Sequence, residues 1–252
     1  MAATSHRFTA SDGVEIAWHE LGDANRPPLV LIHGLFSNAR INWIKYGHAA
    51  AIAATGARVI MPDLRAHGDS DAPREAAAYP HDVLARDIEE LVAHLDLGDH
   101  DLGGFSLGAR TTARLVVRGA RPRRAILAGM GLEGLAGWSG RQAFFLDAID
   151  RFDRVKPGDA HYMTVQFMKT MKVDRVAAAH LLGSFADTQP DDLAAFAMPA
   201  AVVCGRDDRD NGDPQALVDA LPDATLYEVP GTHMSSVTKP ELGQAIADFL
   251  AA

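Results

Sequence analysis

The feature that most restricts this chain is an alternation of short apolar runs with amphipathic helical stripes. Pro28-Leu-Val-Leu-Ile32 is continuous and apolar, as a strand covered on both faces must be. Residues 57–61, 124–128, 200–204 and 225–229 read the same way, and 100–104 is a further short strand. Residues 14–18 alternate apolar with polar after the turn Ser11-Asp12-Gly13, the pattern of a half-buried strand. Between the strands lie helical stripes. Leu84, Ile88, Leu91, Val92 and Leu95 form one, and Leu242, Ile246, Phe249 and Leu250 form another. Strands alternating with helices predict an α/β fold, with a mostly parallel central sheet, flanking helices and an antiparallel edge at the N-terminus.

One stretch breaks the alternation. Residues 132–198 contain no strand pattern, and Phe145, Ile149 and Phe152 fall at helical spacing. Their apolar bulk, with Phe144, Phe167, Met163, Met168 and Met171 among it, exceeds what a connector needs. We read residues 132–198 as a small helical cap inserted late in the sheet, and residues 1–131 and 199–252 as the α/β core. Ordinary crossover helices are the competing reading. A length of 252 residues fits one such domain with an insertion.

Composition excludes several classes. The 24 basic and 33 acidic residues give a net charge of −9, and the one dense basic group (Arg118, Arg121, Arg123, Arg124) reads as a solvated helix exit. No nucleic-acid partner is expected. The single cysteine, Cys204, forms no disulfide within the chain and reads as an inert thiol inside an apolar strand. No apolar run reaches membrane-spanning length, and residues 1–7 lack the apolar stretch of a secretion signal. The expectation is a cytoplasmic protein without membrane association. A homodimer is compatible with the sequence.

The chemistry is concentrated in Gly104-Phe105-Ser106-Leu107-Gly108, which follows a strand and opens a helix. A glycine-flanked serine in that context is a nucleophile elbow, a tight turn that lifts the hydroxyl above the sheet edge and points a helix N-terminus at the reacting carbon. Such a serine needs a base, and the base needs an orienting carboxylate. His233 lies after the last strand. Asp208 lies just past the preceding one, with Asp207 and Asp210 near enough to compete. Both positions are at strand carboxyl ends, where parallel sheets gather ligands. In His33-Gly34-Leu35-Phe36, Gly34 lets the chain turn, so that the amides of Leu35 and Leu107 can form an oxyanion hole. His33 reads as structural.

Carrying these motifs, the chain resembles the α/β-hydrolase superfamily, in its capped, cofactor-free branch of serine esterases, C–C hydrolases and perhydrolases. The resemblance spans essentially the whole length. It rests on His33–Phe36, Gly104–Gly108, Gly205-Arg-Asp-Asp208, Gly231-Thr-His233 and Asp63-Leu-Arg-Ala-His-Gly-Asp-Ser70. The last matches the branch's D-x-R-G-x-G-x-S run, with Ala66 where glycine is usual. Thr232 departs from the frequent Gly-His pair. The resemblance implies an α/β-hydrolase fold, a catalytic order Ser106, Asp208, His233, a structural 63–70 loop and a cap where the insertion falls. Serine at the nucleophile position argues against haloalkane dehalogenases and most epoxide hydrolases, which place aspartate there.

The expected activity is hydrolysis of small to medium apolar carboxylic esters through an acyl-enzyme, with Phe36, Phe145 and Phe167 lining the pocket. The alternatives are a C–C hydrolase of vinylogous diketones, or a ligand-binding receptor on the same scaffold. No cofactor and no metal is expected, since the run Asp208–Asp213 fails the register of a calcium loop. Gly131-x-x-Gly134-x-x-Gly137 reads as a flexible hinge into the cap. His161 and His180 read as surface or satisfied polar groups.

Overall fold

Eight strands form one sheet in the order β1-β2-β4-β3-β5-β6-β7-β8. They are β1 (Thr4–Thr9), β2 (Glu15–Leu21), β3 (Pro28–Ile32), β4 (Arg58–Pro62), β5 (Asp101–Phe105), β6 (Ala125–Ala128), β7 (Ala200–Gly205) and β8 (Ala224–Val229). The computed structural model describes residues 2–252. β1 with β2 and β2 with β4 are antiparallel, and every later pairing is parallel. The sheet therefore is mostly parallel with an antiparallel N-terminal edge.

The helices are α1 (His48–Ala53), α2 (Val83–His94), α3 (Leu107–Val117), α4 (Leu132–Ala136), α5 (Trp138–Asp150), α6 (Tyr162–Thr170), α7 (Arg175–Leu182), α8 (Pro214–Ala220), α9 (His233–Ser236) and α10 (Pro240–Ala251). They cover both faces, which explains the continuous apolar strands. Val30 and Ile32 pack with Leu84 and Ile88 of α2 on one face, while Leu29 and Leu31 pack with Ile52 of α1 and Ile246 of α10 on the other.

The stretch between β6 and β7 is helical, containing α4 to α7 and a 3₁₀ turn at Pro190–Ala195. Its two ends and its middle pack differently. Leu135, Leu193, Phe196 and Met198 join the sheet-side cluster with Leu127 and Val202. Trp138, Ala148, Val165, Met168 and Leu182 of α5 to α7 form a cluster of their own, which takes in Phe36 from the loop after β3.

The glycine-rich entry to this stretch is packed rather than flexible. The Gly134 N–H donates to the Asn211 carbonyl (2.9 Å) and Asn211 Nδ2 to the Gly129 carbonyl (2.7 Å). The Asp213 N–H donates to the Glu133 carboxylate (3.0 Å). Small residues here let two backbones interlock, and the expected hinge is replaced by a junction with the loop that follows β7. Among the described residues, no helix is long and apolar enough to cross a membrane.

Candidate active site

β5 ends at Phe105 and α3 begins at Leu107, so the whole turn is one residue, Ser106. It is held at φ 55°, ψ −109°, a conformation that costs a side-chain-bearing residue about 1–3 kcal/mol. A Cβ on Gly104 would lie 2.7 Å from the Gly108 Cα, and one on Gly108 would strike the Ile32 carbonyl. The first glycine thus closes the turn, and the second lets α3 press onto the end of β3. The Ser106 N–H is anchored to the Ala128 carbonyl at 2.8 Å.

His233 is the first residue of α9. Thr232 caps that helix: its hydroxyl accepts from the Ser235 N–H, while Ser235 Oγ accepts from the Thr232 N–H at 2.8 Å. The threonine that separates glycine from histidine is therefore what starts the helix carrying His233. His233 Nδ1 lies 2.8 Å from Asp208 Oδ2, and its Nε2 lies 3.0 Å from Ser106 Oγ. An ionised carboxylate only accepts, so Nδ1 carries the proton and Nε2 is left to accept from the serine hydroxyl.

Of the three competing aspartates, only Asp208 is buried. It also accepts from the Asp210 N–H at 3.0 Å. Burial raises its pKa, but the hydrogen bond and charge of His233 and the Asp210 amide outweigh that and leave it below the usual carboxylate range. It is ionised at neutral pH. Cys204 lies beside it, with burial and the Asp208 charge pushing its thiol up to about 12, so it stays protonated and inert.

The turn at Gly34–Ser37 lies next to the serine, because Ile32 pairs with Gly104 across β3 and β5 and Gly34 packs on Phe105. Its amides are accounted for one by one. Gly34 N–H donates to Asn42 Oδ1 (3.0 Å), Phe36 N–H to His67 Nε2 (2.9 Å) and Ser37 N–H to the Gly34 carbonyl (3.1 Å). The Leu35 N–H alone has no protein acceptor among the described residues. Leu107 opens α3, where the first N–H groups have no partner within the helix. Two donors thus remain free beside Ser106. His33 is buried and accepts from the Leu64 N–H at 2.9 Å through Nε2, a structural role as expected.

The 63–70 loop buttresses this turn. Asp63 accepts from the Ala39 N–H (2.8 Å) and the Asp69 N–H (2.8 Å). Ala66 adopts φ 65°, which accounts for glycine being usual there. Asn42 and His67 were not legible as site residues, because their contacts to the turn are made only in the folded chain.

Phe36, next to the free Leu35 amide, meets Phe145 edge to face, with centroids 5.7 Å apart. Phe167 packs into the same cluster from α6. Arg110, one turn beyond Ser106 on α3, ties both ends of the inserted stretch. It donates to the Gly134 carbonyl, to the Leu135 carbonyl (3.0 Å), to the Ala186 carbonyl (2.9 Å) and to Asp187 Oδ1 (2.9 Å). Two residue groups have metal-ligand spacing, His19 with Asp63 and Asp69, and Asp208 with Asp210 and His233. The histidines and buried aspartates of both are already engaged with protein partners.

Comparison with known proteins agrees with the fold. Residues 27–157, more than half of the chain, match the family model of the alpha/beta hydrolase fold. The chain belongs to this family.

Among curated relatives, a stretch of 109 residues is 36% identical to the dihydrolipoyllysine-residue acetyltransferase component of the acetoin cleaving system of Pseudomonas putida. That match covers 43% of this chain and 27% of that protein. The chain spans about a quarter to a third of the length of the first such relatives. A non-heme haloperoxidase of Rhodococcus erythropolis is 29% identical over 231 residues, covering 80% of this chain and 81% of that one. Among solved structures, an esterase from Exiguobacterium antarcticum superposes with a TM-score of 0.78 at 18% identity, over 98% of this chain and 99% of the other. This last likeness is one of fold.

Proposed function

We propose that this member of the α/β hydrolase fold family is a serine hydrolase of carboxylic esters, with small to medium apolar small-molecule substrates. The observation that carries the reading is the unbroken hydrogen-bonded chain Ser106–His233–Asp208, set beside two free backbone donors. Esterase fold neighbours are compatible with it.

Ser106 Oγ attacks the acyl carbon as His233 Nε2 takes its proton. Asp208 holds the Nδ1–H tautomer and stabilises the imidazolium that forms. The Leu35 and Leu107 amides receive the tetrahedral oxyanion. His233 then protonates the leaving alcohol, and the acyl group rests on Ser106. Water, deprotonated by the same histidine, attacks that acyl-enzyme and regenerates the serine. Each step uses only groups of this chain and the water that enters. The helices α5 to α7 act as a cap, and the aromatic cluster of Phe36, Phe145 and Phe167 supports an apolar acyl or alcohol group.

A panel of 4-nitrophenyl esters of graded acyl length, run with Ser106→Ala and a serine-directed fluorophosphonate, tests the reading. Turnover that peaks at one acyl length, with labelling of the wild type alone, is the expected result. The variant should retain on the order of 10³-fold over water from the oxyanion donors. Turnover of a ring-fission dienoate with none of esters would replace this reading by C–C hydrolysis.

A further inference from the structure

Residue Arg141 stands out among the arginines of the inserted stretch. It lies on α5 and is half-buried. Burial lowers the pKa of two arginines, Arg110 and Arg141. Arg110 pairs with Asp187 at 2.9 Å. Arg141 has no carboxylate within ion-pair distance among the described residues. Its guanidinium donates to one protein group, the backbone carbonyl of Asp210, and leaves the other donors of a five-donor fork unused.

Its position matters as much as its lack of a partner. Trp138, Arg141 and Phe145 share one face of α5, at spacings of three and four residues. At one end of this face Phe145 packs on Phe36 of the turn that carries the Leu35 amide. At the other, Arg141 touches the loop of Asp208, two residues past the acid. Ser106 lies between these two loops, hydrogen-bonded toward Asp208 through His233. The shared face therefore reaches from the turn of Leu35 to the loop of Asp208, the two loops that flank Ser106. Arg141 places an unspent cation on that otherwise aromatic face.

We infer that Arg141 recognises an ionised carboxylate on the substrate, so that the preferred substrates are half-esters or lactones bearing a second, free carboxylate. The inference rests on the ester-hydrolase reading above and narrows its substrate class. A carboxylate matches the fork of one guanidinium in two parallel hydrogen bonds. A phosphate dianion would call for a second cation, and Arg110, close enough to feel the charge of Arg141, is spent on Asp187. The carboxylates of Asp208 and Asp210 act on Arg141 only through space, and a substrate carboxylate in contact would outweigh them because the Coulomb energy falls with distance.

The test uses 4-nitrophenyl half-esters of succinate, glutarate and adipate against 4-nitrophenyl butanoate, pentanoate and hexanoate. The wild type should prefer at least one half-ester over its neutral partner by about tenfold or more in kcat/KM, the worth of a charge-assisted pair. Arg141→Met should lower that ratio about tenfold or more, and Arg141→Lys should lower it less. A wild-type ratio at or below one for all three pairs, or a ratio that Arg141→Met leaves unchanged, would overturn the inference. A second measurement separates this from failure of the ester reading. In the Ser106→Ala background, monomethyl glutarate and methyl pentanoate are titrated calorimetrically, with and without Arg141→Met. An Arg141-dependent preference for monomethyl glutarate supports carboxylate recognition even if no ester turns over. Equal binding of the two overturns it even if both esters are hydrolysed.

Discussion

His67 Nε2 accepts the Phe36 amide at 2.9 Å and so holds the residue next to the free Leu35 amide at φ 58°. The histidine can do this only while neutral at that nitrogen. Burial, with the nearby His33, lowers its pKa to about 3.

The consequence is an acid-sensitive turn. The folded chain keeps His67 neutral, whereas the unfolded chain takes up the proton near pH 6.5. Stability from this group is therefore complete above about pH 6.5, falls as pH drops, and levels off only near pH 3. Between those limits one proton contributes a slope of about 1.4 kcal/mol per pH unit. His67→Gln should be less stable at pH 7 and should flatten the acid limb by about that slope. Denaturant unfolding of both proteins at pH 7, 6, 5 and 4 measures this. Parallel limbs would show that His67 is not the titrating group.

A second prediction separates the three aspartates. Asp208→Asn should lower kcat by roughly 10⁴, because a donating amide stabilises the wrong tautomer of His233. Asp207→Asn and Asp210→Asn should each cost less than about tenfold, since both side chains are exposed and neither hydrogen-bonds to His233. Steady-state rates on 4-nitrophenyl acetate decide it. A larger loss at Asp210 would mean that the loop rearranges around a different acid.

These assignments mark how far sequence reading reaches. Ser106 and His233 are legible because each follows an apolar strand and sits at a punctuated break in the chain. Asp208 was one of three, since spacing does not say which carboxylate turns inward; the hydrogen bonds to His233 and the Asp210 amide do. β1 is not legible because only Phe8 of its six residues reaches the core, so no alternation shows. α1 is short and mostly alanine, with too little stripe to reveal its period. Asn42, His67 and Arg110 carry no local signal, as their partners lie 8, 31 and 24 to 77 residues away. Gly131 and Gly134 read as flexible from composition, but the small residues are there to let two backbones touch.

A third prediction concerns Arg110 as the clasp of the inserted stretch. Asp187 binds both the Arg110 guanidinium and the Trp138 N–H (3.0 Å), so the pair fixes the start of α5 to α3. Arg110→Met removes the cation paired with Asp187 and the side-chain donor to the Gly134, Leu135 and Ala186 carbonyls, and should destabilise the fold by about 3 kcal/mol. A double-mutant cycle with Asp187→Asn should give a coupling of more than about 1 kcal/mol. Additivity of the two single variants within about 0.5 kcal/mol would mean that the ion pair does not hold the two ends together.

The last prediction sets two glycines against each other. Gly205 ends β7 and Gly231 follows β8, and a Cβ at position 205 would strike the Gly231 carbonyl oxygen. Both partners are backbone, so no rotamer change relieves the clash. The loop bearing Asp208 must move away from the loop bearing His233, lengthening a 2.8 Å hydrogen bond. Gly205→Ala should therefore lower kcat by about 10²-fold, the usual effect of a shift near 1 Å, and destabilise by about 1–3 kcal/mol. Gly140, in the first turn of α5, has nothing within 4 Å of such a Cβ and a negative φ. Gly140→Ala should stabilise by about 0.5 kcal/mol through lost freedom of the unfolded chain. Thermal unfolding and ester turnover of the two variants, measured side by side, test both signs. Equal turnover in both would show that the Asp208 and His233 loops tolerate separation, and that their close approach at Gly205 does not set the geometry of the site.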